Sequence, residues 1–139
     1  MRKLLFLVPA IIIVGCSSKP TLVGEWSATP EGSPQAQTFT FESGNKVKMA
    51  SNMMGQNFIL HGDYKEEAAS LSITPQKLET PGLDASLQKQ VDSAFAAQKG
   101  KPMSFSLKWI SADEAELTPT TNANPAVPST KVVMKRTKK

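Results

Sequence analysis

From Leu22 onward apolar residues recur with a period of two far more often than with a period near 3.6, and this alternation restricts the fold more than any other feature. A period of two sends successive side chains to opposite faces of an extended strand, so each such run builds a sheet with one dry face. Met103, Phe105, Leu107 and Trp109 form the longest example, set against Ser104, Ser106 and Lys108. Phe39 and Phe41 alternate with Thr38, Thr40 and Glu42; a Ser43-Gly44-Asn45 turn follows, and Val47 and Met49 alternate on the return strand. Phe58, Leu60, Gly62 and Tyr64 share a face opposite Asn57, Ile59, His61 and Asp63. After a polar turn, Glu66 to Ser70, come Leu71 and Ile73, with Pro75 closing that strand. Ala112-Asp113 turns into Ala115 and Leu117, and a last strand runs from about Lys131 to Arg136.

One segment has a different period. Thr80 can cap a helix with Pro81 in its first turn, and Leu83, Leu87, Val91 and Phe95 then recur every four residues until Gly100 and Pro102 stop it. This predicts a helix over about 81–99 whose apolar stripe lies on the sheet or plugs one end of a barrel. About eight short antiparallel strands with one inserted helix predict a mainly β protein, a small up-and-down barrel whose closure removes unpaired edges.

The N-terminus follows other rules. Arg2 and Lys3 precede an eleven-residue apolar run, Leu4 to Val14, broken only by Pro9. At about 1.5 Å per residue such a run covers roughly half of a ~30 Å hydrocarbon layer, so it reads as a cleaved secretory signal and not as a spanning helix. Ile13-Val14-Gly15-Cys16 resembles the lipobox of bacterial lipoprotein precursors. The resemblance implies removal of residues 1–15, lipidation of Cys16, a short tether over 16–21 and a folded domain over 22–139. It further implies export to the cell envelope, and Ser17 in place of an aspartate implies the outer membrane, facing the periplasm. Cys16 is the chain's one cysteine, so no internal disulfide can form. Two or three acyl chains hold a protein stably on a membrane without help from its surface.

The formal charge of +4 is misleading as a guide to partners. Arg2 and Lys3 belong to the signal, and Lys131, Lys135, Arg136, Lys138 and Lys139 crowd the other end; residues 17–130 carry nine basic and twelve acidic side chains. No basic stripe interleaved with aromatics runs through the body, which excludes nucleic acid as an expected partner.

A second resemblance rests on Gly24-Glu25-Trp26 preceded by Leu22-Val23, a Pro- and Gly-containing loop from Thr29 to Gln37, then Phe39-Thr40-Phe41 and Gly62-Asp63-Tyr64. Together these resemble the small lipocalin-like domains of bacterial envelope proteins. The likeness implies that Gly24 and Trp26 form the first-strand motif and that the indole packs beneath the barrel floor against Arg136. A mid-barrel helix and the lack of a terminal disulfide depart from that family.

Candidates for chemistry are few. His61 is the one histidine, predicted on the polar face of its strand, and with Cys16 assigned to the anchor no Cys-His pair remains. No Ser occupies a G-x-S-x-G elbow, so neither a catalytic residue nor a cofactor is assigned and the expectation is a protein that is not an enzyme. Met49, Met53 and Met54 with His61 have the donor types of a Cu(I) site, but methionine also fills irregular cores, and no metal is expected. Met53-Met54-Gly55 reads as an apolar loop near a barrel mouth.

The lipocalin likeness implies binding of a small hydrophobic ligand by the inward residues Phe39, Phe41, Phe58, Leu60, Tyr64, Phe105 and Trp109. An eight-stranded barrel is just wide enough to hold one small ligand or to be filled by its own side chains. If the helix plugs the interior, a structural or partner-binding envelope lipoprotein results; if it lids an open end, a ligand has room.

Overall fold

Strands in this chain form where β-branched and aromatic residues alternate with short polar ones, and several pair with the next through a tight turn. A computed structural model describes residues 19–120 and 130–138. The expected signal segment 1–15, the expected lipidation residue Cys16 and, of the expected tether, Ser17 and Ser18 lie outside the described residues.

Eight strands follow in chain order: β1 (Gly24–Pro30), β2 (Gln37–Glu42), β3 (Lys46–Met53), β4 (Gln56–Glu67), β5 (Ser70–Glu79), β6 (Met103–Ser111), β7 (Glu114–Pro119) and β8 (Val132–Lys138), with the helix α1 (Ala85–Ala96) between β5 and β6. Each strand is antiparallel to its neighbours, and β8 pairs back onto β1, closing the barrel. This is the mainly β, up-and-down, eight-stranded barrel with an inserted helix that the alternation predicts. The β2–β3 turn is Ser43-Gly44-Asn45, with Gly44 at φ 88° and Asn45 at φ 63°.

The inward-facing side chains form one continuous core. At one end, the floor, Leu22, Trp26, Phe41 and Tyr64 are buried, with Trp109 packed against them. The Phe41 and Tyr64 rings meet edge to face, with centroids 5.0 Å apart, and Trp26 and Trp109 pack at 5.9 Å. Such tilted pairs match the ring quadrupoles as well as burying area.

Three local expectations are corrected. Pro75 does not close its strand: β5 continues to Glu79, and a register shift at His61/Gly62 absorbs the proline opposite Gly62. Proline is tolerated because β6 pairs only with Ser70 to Ile73, so the rest of β5 needs no donor on that side. The helix starts later and ends earlier than expected, at Ala85 and Ala96, with Asp84 as its cap in place of Thr80. Gly82, at φ 77°, takes a left-handed conformation that interrupts the chain between Pro81 and the first helical turn. Finally, no residue of α1 is fully buried and Leu87 is 49% exposed; the face turned inward carries Gln88, Val91 and Phe95 instead.

Candidate functional site: an apolar cavity under the helix

The two ends of the barrel are finished differently. At the floor, the chain preceding β1 crosses beneath the strands, and Leu22 is fully buried. Its carbonyl accepts a 2.7 Å hydrogen bond from Trp26 Nε1, which satisfies the indole in an otherwise apolar setting. Gly24, at φ 132°, lies at the entry to β1. Trp26 and Arg136 are paired across β1 and β8, and the guanidinium carbon stands 4.2 Å from the centre of the Trp26 ring. Arg136 donates to the carbonyls of Val23 (2.7 Å), Thr21 (2.6 Å) and Ala112 (3.2 Å), while its Nε is 3.0 Å from Asp113 Oδ1. One planar fork thus ties the incoming chain, the β6–β7 turn and the last strand together.

The opposite end stays open. Beyond Ile73, β5 has no β6 partner, and the chain leaves the sheet for Thr80 to Pro102 before β6 begins. The gap exposes a cavity of about 300 Å³ inside the barrel. Phe39, Phe105, Leu117 and Val132 lie along one part of its wall, and Met49, Phe58, Leu60 and Leu78 along another. Phe95 from α1 and Gln98 just after it reach the cavity from above. Gly100 N–H donates to the Pro75 carbonyl at 2.9 Å, and the Thr80 hydroxyl bonds Gln88, so the helix is fixed to the open edge by its two ends. Asp84 caps it by accepting from Ser86 N–H at 2.9 Å; that bond, and then the Ser86 hydroxyl, hold the Asp84 carboxyl below the usual aspartate range.

Of the seven inward residues expected to meet a ligand, Phe39, Phe58, Leu60 and Phe105 line this cavity. Phe41, Tyr64 and Trp109 do not: they fill the floor. Alternation specifies which face a side chain takes but not its height along the barrel axis. Sequence reasoning also passed over Gln37, Ser51, Leu78 and Gln98. Ser51 continues the alternation Val47, Met49 toward Met53, and that signal was available; Leu78 was hidden by the expectation that the strand ends at Pro75.

His61 is on the outside of β4, with Nε2 3.4 Å from Glu79 Oε2, on the polar face and away from the cavity. Lys77 Nζ lies 2.9 Å from Glu79 Oε1. Lys77 first and His61 second lower the Glu79 carboxyl below its ordinary value. Met49 faces the interior and His61 the exterior, so these two donors do not converge on one ion. Among the described residues, no group of three or more His, Cys, Asp or Glu side chains is placed to hold a metal.

No protein-family model matches the chain, and no curated protein matches it. Among solved structures it is similar to the crystal structure of an uncharacterized protein from Bacteroides eggerthii DSM 20697, at 19% identity and a TM-score of 0.48, covering 82% of this chain and 98% of that one.

Proposed function

We propose that the protein is a lipid-anchored envelope protein that binds a small hydrophobic ligand in the open end of its barrel. The observation that carries the reading is the cavity of about 300 Å³, walled mainly by apolar side chains and covered by a helix with no buried residue. Small-molecule sites start at about this volume and are mostly apolar with a few polar groups. A lid held by its ends and by one aromatic side chain has little burial to lose on opening, which suits ligand entry. A binding role is supported by the uncharged lining of the cavity and by His61 facing away from it.

The anchor belongs to the same reading and is supported by the sequence: a basic start, a short apolar run and Ile13-Val14-Gly15-Cys16. The proposed address is the outer membrane, with the barrel in the periplasm and the membrane reached through acylated Cys16. Partner binding without a ligand is the competing role, supported by Met53 and Met54 at the β3–β4 turn, which are 50% and 101% exposed.

Native mass spectrometry of the protein from its own host, with a titration by the neutral fluorophore 1-aminoanthracene, tests the binding role. Co-purified small-molecule mass, and fluorophore binding abolished by Leu60→Trp in a folded barrel, are expected. A chain that carries nothing and leaves the fluorophore dark has no ligand site. Radiolabelled palmitate tests the anchor: it should enter the wild type and not Cys16→Ser, and equal labelling of both would remove Cys16 as the acylated residue.

A further inference from the structure

We infer that the cavity selects an uncharged amphiphile of about a dozen heavy atoms, bound tail first, over the corresponding carboxylate; this rests on the reading of the cavity as a ligand site. The size follows from the volume. A cavity of about 150 Å³ accommodates one benzene ring, so about 300 Å³ holds roughly twice that number of atoms.

The preference for a neutral head follows from what lines the walls. Among the described residues, no Lys, Arg, Asp or Glu side chain borders the cavity; the polar side chains there are Gln37, Ser51 and Gln98, all uncharged. Gln37 opens β2, Ser51 lies two residues from the end of β3, and Gln98 follows α1, so all three belong to the open end. Between them they offer amide and hydroxyl donors and acceptors, enough for a ligand amide, alcohol or ester. Deeper in, Phe39, Phe105 and Leu117 offer an alkyl tail only apolar contact.

Among the described residues, no cation stands at the cavity wall to compensate a buried anion. Lys99 and Lys101 after the helix are exposed to solvent, as are Asp84 and Asp92 at and on it, so the charges near this end are of both signs. Lys131, which precedes β8, is 3.6 Å from Glu116. The connection 121–129, outside the described residues, contains no ionisable side chain in its sequence. A carboxylate drawn under the lid would be buried without a partner and would have to enter protonated. A simple carboxyl titrates about three pH units below neutral conditions, so full burial costs ~1000-fold in affinity, and a head that stays partly wet still costs ~10-fold.

Decanamide and decanoate have the same skeleton and differ in charge, and displacement of 1-aminoanthracene from the full-length protein at neutral pH compares them. Decanamide is expected to displace the fluorophore at a concentration at least ~10-fold lower than decanoate. Gln37→Lys, which adds a cation at the mouth, should raise decanoate affinity by a similar factor; Ser51→Lys is the second choice should that variant fail to fold. Decanoate displacing as well as decanamide, or a folded lysine variant with unchanged preference, would overturn the selectivity while leaving the cavity as a ligand site. Bound fluorophore that neither compound displaces would also overturn it. A wild-type protein that never binds the fluorophore would remove both the site and its selectivity.

Discussion

Replacing Arg136 by methionine keeps an aliphatic stem over Trp26 but removes every polar contact that closes the floor. The guanidinium side chain is only 7% exposed, so its bonds operate in a largely dry setting. Two of its three carbonyl bonds are short, to Thr21 and Val23, and hydrogen bonds to a charged donor contribute about 1.5–3 kcal/mol each. Thr21 and Ala112 lie at exposed positions, so water can replace part of what their carbonyls lose. The Asp113 partner is 57% exposed and adds at most ~1 kcal/mol, and the stacking on Trp26 adds roughly another. Allowing for re-solvation, Arg136→Met is expected to destabilise the barrel by about 3 kcal/mol, or ~10–15 °C in Tm for a domain of this size. Arg136→Lys keeps the charge without the planar fork and should recover about 1 kcal/mol of the loss. Urea unfolding followed by tryptophan fluorescence measures both variants, with Trp26 itself in the floor. If Arg136→Met unfolds within ~0.5 kcal/mol of the wild type, the guanidinium does not hold the floor together and the reasoning fails.

Three further expectations follow from single contacts. In Gly62→Ala the new Cβ would stand 2.6 Å from the Thr74 carbonyl oxygen of the paired strand; a lowered urea midpoint corresponding to about 1–3 kcal/mol is expected, and an unchanged midpoint would show that β4 and β5 can part at the bulge. Tyr64 is the one tyrosine, and burial first, then nearby Glu66, push its phenol above the usual value. Its folded pKa exceeds the unfolded one, so its contribution to stability is complete below the unfolded pKa and is lost as pH rises through the folded pKa. Phenolate absorbance should therefore titrate later in the native protein than in urea, and coincident curves would contradict the burial of the ring. Asp84→Ala removes the cap of α1; amide exchange should accelerate in residues 85–90 without change in the strands, and the release of 1-aminoanthracene should quicken. Equal protection in the helix would mean that its two tethered ends suffice without the cap.

The strands were readable because their signal is local: an apolar residue at every second position, as in Phe39 and Phe41 or Met103 to Trp109, needs no knowledge of the partner strand. Closure of β8 on β1 was not local, yet it was accessible through the edge problem that eight open strands would create. The helix showed where such reasoning stops. A four-residue period marks Leu83, Leu87, Val91 and Phe95 alike, but Leu87 is exposed while the other three are half-buried, and Leu83 precedes the Asp84 cap and so lies outside the helix. Height along the barrel axis was the larger gap. Phe41 and Phe39 are indistinguishable in sequence, and one fills the floor while the other borders the cavity. The polar members of the site, Gln37 and Gln98, carry no periodic signature, since each follows or precedes a loop whose path is set by tertiary contacts.

The manner in which the chain enters the barrel dictates how it would stand on a surface. Thr21 is held beneath the floor by Arg136, and it lies five residue steps along the chain from Cys16. Fully stretched, they span at most about 18 Å. An attachment at Cys16 therefore keeps the Trp26 end next to the bilayer and turns the Met53, Met54 and α1 end outward, toward the aqueous space. Traffic into such a cup would come from across the compartment and not from the leaflet on which it stands.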